Sequence, residues 1–420
     1  MRHLYSLLWC LALPLVLARL WWRGRKEPGY RAHWGERLGF YGARGAGGHT
    51  LWLHAVSVGE TRAAEPLVEA LLQAYPDSRI ILTHMTPTGR ATGRALFAKH
   101  GARLAQAYLP YDIPFLIQRF IAHFAPRICI LMETEVWPNL IAVCGERVPV
   151  ALVNARLSER SLKRGQRFGR LMTEAAQSLA LVAAQTEADA ARVRLLGAPR
   201  VEVTGSIKFD VVAPEAALQM GAWLRERIGP RKVLLCASTR EGEEALILDA
   251  CADWLAQPDA PLLVLVPRHP QRFDDVAALA RARGLSLTRR SALINDFVTN
   301  QVLLGDSMGE MFGYYAACDV AYIGGSLLPL GGQNLIEACA LAKPVLVGPH
   351  TFNFALATQQ AIEAGGALCV ADAPELVSRA RELLVDDAAR IAMGACGAAF
   401  AQNYRGATAR TVGLLRHMIF

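Results

Sequence analysis

The sequence lacks the short signatures of several large enzyme classes. It has no GxxxxGK[ST] phosphate loop, no complete GxGxxG fingerprint and no HExxH pair. Kinase, simple NAD oxidoreductase and metalloprotease functions therefore lose support, because each of these chemistries depends on the residues that such a motif supplies. No short-period repeat or low-complexity tract is present, which argues against a solenoid and against disorder.

Cysteine pairs and nucleic-acid motifs are also missing. The nine cysteines are scattered, form no Cys-x-x-Cys pair and mostly lie in apolar runs, which is typical of reduced thiols in a cytosolic protein. No RNP-type aromatic pattern, zinc finger or basic-region helix accompanies the formal net charge of +8. We therefore expect an anionic lipid surface or a phosphorylated substrate as partner, and no nucleic acid.

The 420 residues contain one long apolar run, at the amino terminus. Residues 4–22 read LYSLLWCLALPLVLARLWW, close to the roughly 17–25 residues that span a bilayer. Two tryptophans end the run and the basic Arg-Gly-Arg-Lys follows, which places the rest of the chain on the cytoplasmic side. We predict an uncleaved membrane anchor in residues 1–26, rather than a cleaved signal peptide or a buried core helix. Because the run is short and contains Pro14, a helix that lies in the membrane interface remains an alternative to a helix that spans the bilayer.

Beyond residue 50, short β-rich apolar runs alternate with longer helical patterns. The runs in the two halves are 51–55, 79–83, 127–132, 148–153, 181–184 and 201–204, then 233–236, 262–267, 301–304, 320–323, 344–348 and 367–370. This alternation predicts α/β structure with parallel sheets covered on both faces, in two Rossmann-like domains with a hinge near 205–214. The natural ligand site of two such domains is the cleft between them.

A glutamate follows the first of these runs. The segment His-Ala-Val-Ser-Val-Gly-Glu-Thr ends the run, and its serine and glycine permit a tight turn from strand to helix. Glu60 then falls in the first helical turn, where a carboxylate is able to take the proton from an acceptor hydroxyl. A glutamate there also complements the helix dipole without doing chemistry, so both roles stay open.

Charged residues follow three further runs of the first half. Met-Glu-Thr-Glu-Val-Trp-Pro-Asn places Glu133 and Glu135 after a buried strand, where burial raises the pKa of a carboxyl group or demands a partner. We expect at least one of the two to be functional, and the alternative is that one caps the next helix and the other faces solvent. Arg156 and Lys208 are candidate contacts for a phosphate or carboxylate, although single cations of this kind are commonly solvated.

Glycine-rich segments and basic residues mark the second half. Gly-Gly-Ser and the following Gly-Gly-Gln-Asn-Leu-Ile-Glu, residues 331–337, permit close backbone approach to a ligand, and the latter opens a helix. Glu337 is able to accept hydrogen bonds from ribose hydroxyls, and the alternative is ordinary glycine turns followed by an ordinary helical glutamate. Arg268 and His269 are able to bind a phosphate or carboxylate, and residues 307–310 begin another helix that suits an anion.

In their order along the chain, these motifs resemble the 3-deoxy-D-manno-octulosonic acid (Kdo) transferases of Gram-negative bacteria. The resemblance covers nearly the whole chain and rests on the segments RGRK, WGERLG, TPTG, LPYD, METEVWPN, NARLS, GSIKFD, VPRHP, GDSMGE, GGS, GGQNLIE and VGPHTFNF. It implies a GT-B fold and an inverting transfer of Kdo from CMP-Kdo to a hydroxyl of the lipid A precursor, at the cytoplasmic face of the inner membrane.

Site residues follow from the same resemblance. Glu60 would be the general base, and Glu133 and Lys208 would help to stabilise the transition state. The CMP part of the donor would be bound by Arg268, His269, Met308, Gly309, Glu310, Asn334, Leu335, Ile336 and Glu337. Residues 27–210 would bind the acceptor and residues 211–420 the donor.

No cofactor is expected, and the sequence has no Asp-x-Asp pair of the kind that holds a metal for glycosyl transfer. A metal-independent site, with Arg, Lys and a helix dipole on the leaving phosphate, is the consistent choice.

Glu36 is a weaker candidate base, because no apolar strand precedes it. Two other functions are weighed: a GT-B enzyme that uses a UDP-sugar, and a non-catalytic membrane adaptor, which the retained Glu60 and Glu133 disfavour.

Overall fold

The computed structural model describes residues 1–42, 49–145, 147–167, 169–293 and 298–419. The chain divides into two compact units, one formed by Met1–Asp210 with Arg405–Phe420 and the other by Val211–Tyr404. Each unit is built on its own seven-stranded parallel sheet. The predicted α/β, GT-B-like architecture of two Rossmann-like units is confirmed.

In the first unit, the strands lie in the order β3-β2-β1-β4-β5-β6-β7. Their bounds are β1 His49–His54, β2 Ser78–His84, β3 Leu104–Tyr108, β4 Pro126–Met132, β5 Val150–Ala155, β6 Leu181–Ala184 and β7 Val201–Val203. The central strands are buried on both faces, as parallel sheets require, and therefore read as continuous apolar runs.

Two helices precede β1, and the others connect or follow the strands and cover both faces of the sheet. They are α1 Arg2–Arg23, α2 Trp34–Arg37, α3 Val58–Ala63, α4 Glu65–Ala74, α5 Pro87–Phe97, α6 Pro114–Phe124, α7 Pro138–Cys144, α8 Glu159–Arg167, α9 Arg170–Gln177 and α10 Glu187–Leu195. Proline occupies the first helical turn of α4, α5, α6 and α7, where its missing N–H costs no hydrogen bond. Two apolar cores result, one on each face of the sheet.

In the second unit, the strand order is β10-β11-β9-β8-β12-β13-β14. The strands are β8 Val233–Thr239, β9 Leu262–Pro267, β10 Leu287–Arg289, β11 Val302–Leu304, β12 Val320–Ile323, β13 Val345–Val347 and β14 Ala367–Cys369. The helices are α11 Glu215–Ile228, α12 Glu243–Leu255, α13 Phe273–Arg281, α14 Met311–Ala317, α15 Ile336–Ala340, α16 Ala355–Glu363, α17 Ala373–Val385 and α18 Asp387–Asn403.

The last helix, α19 (Ala407–Ile419), belongs to the first unit, whereas the sequence placed residues 211–420 together in the second. The reason lies in two interactions. Leu415 and Ile419 are buried in the core that contains α4, and each such side chain contributes roughly 1.5–3 kcal/mol. The Asp210 carboxylate accepts hydrogen bonds from the backbone N–H groups of Gly406 (2.6 Å) and Thr408 (2.5 Å), which satisfies the start of the helix.

Candidate active site

The carboxyl ends of β1 and β4 form the switch point of the first sheet. These two strands are neighbours, and the chain proceeds to opposite sides of the sheet from them. Ligands of doubly wound folds bind outside the carboxyl ends of the strands at such a point. Glu60 follows β1 and Glu133 follows β4, so the sheet topology brings these two predicted residues to the expected edge.

Glu60 lies in the first turn of α3 with its carboxylate held by local donors. The backbone N–H of Val56 donates to Glu60 Oε2 at 2.8 Å, and the hydroxyl of Ser57 donates to Oε1 at 3.3 Å. Burial, together with the negative charges of Glu135 and Glu133, raises the pKa of Glu60 to about 7, although the hydrogen bonds from Val56 and Ser57 lower it. A carboxyl group with a pKa near neutrality is suited to accept a proton as a general base.

Glu133 and Lys208 form an ion pair beside this edge. The Lys208 ammonium lies 2.8 Å from Glu133 Oε1, and the two side chains are 25% and 18% exposed. The backbone of Glu133 has a left-handed φ of 56°, a conformation that is uncommon for a residue other than glycine. The structure thus brings together two residues that are 75 positions apart in the sequence.

Glu135, the second carboxylate after β4, is also held in place. The indole Nε1–H of Trp137 donates to Glu135 Oε2 at 3.0 Å. Burial raises the pKa of Glu135, and the charge of Glu133 adds to the effect. Neither alternative considered for it, helix capping or exposure to solvent, describes this position, because the carboxyl group is largely buried and contributes to the raised pKa of Glu60.

The weaker candidate base, Glu36, has a structural role. Its carboxylate accepts hydrogen bonds from Arg90 at 2.5 and 3.0 Å and from the backbone N–H of Tyr108 at 2.7 Å. These contacts fasten α2 to α5 and to the edge strand β3. Glu36 also lies 3.2 Å from Nδ1 of His33, the residue that precedes α2, so its partners are on its own segment and on two other elements.

Asn154 is a residue that sequence reasoning did not assign to the site. It lies at the end of β5, is buried and has a left-handed φ of 51°. Its Nδ2 donates to Glu133 Oε1 at 3.4 Å, and its Oδ1 accepts the N–H of Ile207 at 3.1 Å. Asn154 therefore joins the turn that carries Glu133 to the turn that carries Lys208. The available signal was an asparagine directly after a buried strand, since asparagine tolerates the left-handed region.

Substituting Asn154 tests this positioning role. We expect Asn154→Gly to lower the free energy of unfolding by about 1–3 kcal/mol, because the buried N–H of Ile207 loses its acceptor. Asn154→Ala should cost somewhat more, since alanine is strained at positive φ. Urea denaturation followed by circular dichroism measures both variants. A glycine variant as stable as the parent would show that the amide contributes no net stability.

The second sheet has an equivalent switch point, between β8 and β12. Gly324 and Gly325 directly follow β12, and a Cβ atom on Gly324 would lie 2.6 Å from the carbonyl oxygen of Ser238 at the end of β8. Gly325 has a left-handed φ of 73°. Only glycine fits both conditions, so the Gly-Gly-Ser segment is fixed by this close approach of backbones.

A buried glutamate that the sequence analysis missed organises the segment. Glu243, at the start of α12, is fully buried. Its Oε1 accepts the hydroxyl of Tyr322 at 2.7 Å and the N–H groups of Ser326 and Leu327 at 3.0 Å. Its Oε2 accepts the N–H groups of Gly325 at 2.6 Å and Arg240 at 2.9 Å. Five donors satisfy this charge, so Glu243 sets the shape of both loops at the switch point.

A group of basic residues lies at the ends of β8 and β9. Arg268 follows β9, and its Nε donates to Gln333 Oε1 at 3.3 Å, which links two of the predicted donor segments. Burial lowers the pKa of the half-buried His269, and the positive charges of Arg240, Arg268 and Arg272 lower it further. Concentrated positive charge of this kind suits a phosphate. Arg240 was absent from the predicted set.

The segment 307–310 is held by its own contacts, and the helix begins only at Met311. Glu310 accepts a hydrogen bond from the hydroxyl of Ser307 and pairs with Arg290 at 3.1 Å. Gly309 has a φ of 85°, and Met308 is 51% exposed. A ligand is therefore able to contact this turn through its backbone atoms and through the Met308 side chain.

The Gly-Gly-Gln-Asn-Leu-Ile-Glu segment becomes helical later than expected, at Ile336. Asn334 Nδ2 donates to Glu337 Oε1 at 3.1 Å, and Asn334 Oδ1 accepts the N–H of Ile336. The side chains of Leu335 and Ile336 are buried in the core. These two residues are therefore able to contact a donor only through their backbone. Among the residues that the structure describes, no group of three or more His, Cys, Asp or Glu side chains is placed to hold a metal ion.

Comparison with known proteins shows extensive similarity. Residues 32–211 match the family model described as 3-deoxy-D-manno-octulosonic-acid transferase (kdotransferase). The chain is 47% identical to the 3-deoxy-D-manno-octulosonic acid transferase of Bordetella pertussis, over 99% of this chain and 98% of the relative. It is 39% identical to that of Haemophilus influenzae, again over 99% of this chain and 98% of the relative. In fold, a glycosyltransferase from Rickettsia africae superposes with a TM-score of 0.59 at 13% identity, over 89% of this chain and 99% of that one.

Proposed function

The chain belongs to the 3-deoxy-D-manno-octulosonic acid transferase family, and from that premise we propose that it moves Kdo from CMP-Kdo to a hydroxyl of the lipid A precursor with inversion. The observation that carries the proposal is Glu60, a carboxyl group with a pKa of about 7 at the switch point of the first sheet. Family membership makes the chain a Kdo transferase. The donor, the acceptor and the residue roles are the proposal.

The reaction needs a base and a stabilised leaving group. Glu60 removes the proton from the acceptor hydroxyl as that oxygen attacks the anomeric carbon of Kdo. The new glycosidic bond forms while the bond to the CMP phosphate oxygen breaks, so CMP leaves as an anion and the proton stays on Glu60. The donor already carries a good leaving group, so the protein's task is to place the two substrates, deprotonate the acceptor and exclude water.

Lys208 supplies the positive charge on the first unit. Its ammonium group is held 2.8 Å from Glu133, and Asn154 fixes the position of Glu133 in turn. A cation that is oriented before the reaction stabilises developing negative charge without the cost of reorganising. The geometry therefore supports the roles that the family resemblance gives to Glu133 and Lys208.

The second unit binds the CMP part of the donor in this proposal. Arg268 and His269 contact the phosphate, the turns at 307–310 and 334–337 contact the nucleoside, and Arg240 adds a cation beside them. The support is electrostatic, because the positive charges of Arg240, Arg268 and Arg272 add to burial in lowering the pKa of His269. The transfer step uses no metal in this proposal.

The lipid acceptor and the amino-terminal helix point to the cytoplasmic face of the inner membrane. Helix α1 is 22 residues long and apolar enough to enter a membrane. A basic segment follows it directly, which suits an anionic lipid surface. The proposal therefore places the active site beside the membrane that holds the acceptor.

A direct assay tests the donor and the acceptor. Purified full-length protein is incubated with the lipid A precursor and either freshly generated CMP-Kdo or a panel of UDP-sugars. We expect product with CMP-Kdo only, detected by mass spectrometry of the lipid. Turnover of a UDP-sugar without turnover of CMP-Kdo would overturn the donor assignment.

The pH dependence of turnover tests the role of Glu60. Only the ionised carboxylate accepts a proton, so kcat should rise with pH through about 7 and then level off. Glu135→Gln removes a negative charge that raises the pKa of Glu60, so the rising limb should move to lower pH. Glu202→Gln, the same change at an exposed position of the first unit, should leave the limb in place. An unmoved limb in the Glu135 variant would show that another group titrates.

A further inference from the structure

Helix α1 has two different apolar faces. One face packs against the first unit, where Trp9, Leu13, Val16 and Leu17 contact the small cluster around Tyr111 and Leu116. The ring centroids of Trp9 and Tyr111 are 5.9 Å apart. The other face carries Leu4, Leu8, Leu11 and Leu15, which are 54–75% exposed. The helix is therefore half covered by its own unit and half uncovered.

The amino-terminal end of α1 is fastened to the unit by hydrogen bonds. Tyr5 donates its hydroxyl to Asp112 Oδ2 at 2.9 Å, and Ser6 donates its hydroxyl to Asn139 Oδ1 at 3.0 Å. Asp112 is buried and also accepts the N–H groups of Asn139 and Leu140, so it is part of the fold at the start of α7. These contacts fix the far end of the helix, remote from the basic segment that follows it.

These contacts are incompatible with a helix that crosses the bilayer. A span of 22 residues is roughly 33 Å long, close to the hydrocarbon thickness of about 30 Å. If the end of α1 near Arg23 were at the cytoplasmic interface and the helix crossed, Tyr5 and Ser6 would lie near the opposite interface. Asp112 and Asn139 would have to follow them through the hydrocarbon, although both belong to the folded first unit. The hydrogen bonds and the crossing exclude each other.

We propose that α1 lies parallel to the membrane surface, with Leu4, Leu8, Leu11 and Leu15 in the acyl region and its opposite face on the first unit. An interfacial helix of this kind buries its apolar face about 5–10 Å into the boundary between headgroups and acyl chains. The inference rests on the membrane location proposed above and decides between its two orientations.

The occupant of the uncovered face is an anionic lipid surface. Residues 1–31 contain six Lys or Arg residues and one carboxylate, so two copies of this face would repel each other. The indole of Trp21 is covered by the guanidinium groups of Arg25 and Arg31, at 4.9 and 4.6 Å from the ring centroid. Aromatic rings combined with cations at one end of an apolar face are typical of a lipid interface.

Depth measurements along the exposed face test the orientation. Leu4→Cys, Leu11→Cys and Ala18→Cys are made singly in the full chain, with the exposed Cys10, Cys369 and Cys396 changed to serine. All three labelled positions are exposed in the structure, so the substitutions leave the core intact. Each thiol receives an environment-sensitive fluorophore. The protein is reconstituted into phosphatidylethanolamine–phosphatidylglycerol vesicles that contain lipids with a nitroxide at a shallow or a deep position of the acyl chain.

We expect the same shallow depth at all three positions. A crossing helix would instead place position 11 deepest, roughly 10 Å below position 4, because the helix rises about 1.5 Å per residue. That gradient, in protein that floats with the vesicles, would overturn the in-plane orientation alone. Failure to float would overturn the membrane location as well. Flotation without quenching at any position would mean that protein, such as a second copy, covers the face instead of lipid.

Two double-cysteine variants test the contact between α1 and the first unit directly. Trp9→Cys with Tyr111→Cys, in the background that lacks the exposed cysteines, should form a cross-link with a short bis-maleimide in intact membranes. Leu8→Cys with Tyr111→Cys should form none, because Leu8 lies on the opposite face of the helix. Cross-linking of neither pair in folded protein would show that the helix leaves the first unit in the membrane.

Discussion

Replacing Glu60 by glutamine is expected to lower kcat for Kdo transfer by about 10²–10⁴-fold, the range typical of a general base. Glutamine keeps the size of the side chain and is able to accept the hydrogen bond from the N–H of Val56. It has no basic site for the acceptor proton. Because the first unit carries this residue and the second is proposed to bind CMP, the affinity for CMP should not change. Transfer is measured with saturating CMP-Kdo, and CMP binding by calorimetry.

The matched control is Glu65→Gln. Glu65 lies in the first turn of the next helix, and burial raises its pKa as well, so the same chemical change is made in a similar setting. We expect this variant to retain most of the activity. A Glu60 variant that keeps activity within about tenfold of the parent would remove Glu60 from the role of base.

The stability of Glu60→Gln shows whether a loss of activity comes from misfolding. Burial raises the pKa of Glu60 from 4.5 to about 7, so between these values the folded protein binds more protons than the unfolded chain. Its contribution to stability therefore falls as pH rises through that range. Glutamine has no charge to bury, so Glu60→Gln should be at least as stable as the parent above pH 7. Replacing a functional residue often stabilises a protein in this way, because active sites are commonly kept at a cost in stability.

Glu243→Ala is expected to lower the free energy of unfolding of the second unit by about 3–5 kcal/mol, as breaking a buried charged network does. The substitution leaves four backbone N–H groups and one hydroxyl without their acceptor. The loops at the switch point lose their common anchor, so the affinity for CMP should fall too. Thermal unfolding and CMP titration measure the two effects.

Two further variants separate charge from shape. Glu241→Ala, two positions earlier and exposed, should change the midpoint little. Glu243→Gln keeps the volume but presents an NH₂ group to N–H donors, so it should also be destabilised, by less than the alanine variant. A Glu243→Gln protein with parental stability and CMP affinity would mean that the charge does not organise the loops.

The sequence predicted twelve of the fourteen strands that the described residues form, and the two omissions have one physical cause. β3 and β10 each lie at one edge of their sheet, whereas β7 and β14, at the opposite edges, were predicted from apolar runs of their own. Leu104–Tyr108 is only partly buried, and Leu287–Arg289 is half-buried at all three positions. An edge strand is not enclosed on both sides, so it does not require the continuous apolar run by which the central strands were recognised.

The candidate site was predictable where a residue directly follows a central strand. The positions of Glu60 and Glu133 were predicted in this way, because the carboxyl ends of parallel strands share one edge. The ion pair between Glu133 and Lys208 was not, since it joins distant segments through the fold. Asn154 and Glu243 were missed for the same reason. Asn154 donates to Glu133 and accepts from Ile207, and Glu243 accepts mainly from residues about 80 positions further along the chain. The local sequence does not reveal which distant partners such side chains have.

The domain boundary illustrates the same limit. α19 alternates apolar and polar residues like any surface helix, so its sequence does not say which core it covers. Asp210 accepts hydrogen bonds from the residues that begin α19, and that contact assigns the helix to the first unit. The carboxylate lies almost 200 positions before its partners.

Because the chain returns to the first unit at its carboxyl end, the order in which the two units fold during synthesis is affected. The second unit, Val211–Tyr404, is continuous in sequence, whereas the first is completed only by Arg405–Phe420. On the ribosome, the second unit is therefore free to fold before the first has its full core, the reverse of the usual amino-to-carboxyl order. Until translation ends, the surface of α4 that receives Leu415 and Ile419 stays open. A premature stop near residue 405 would thus damage the half of the protein that was made first.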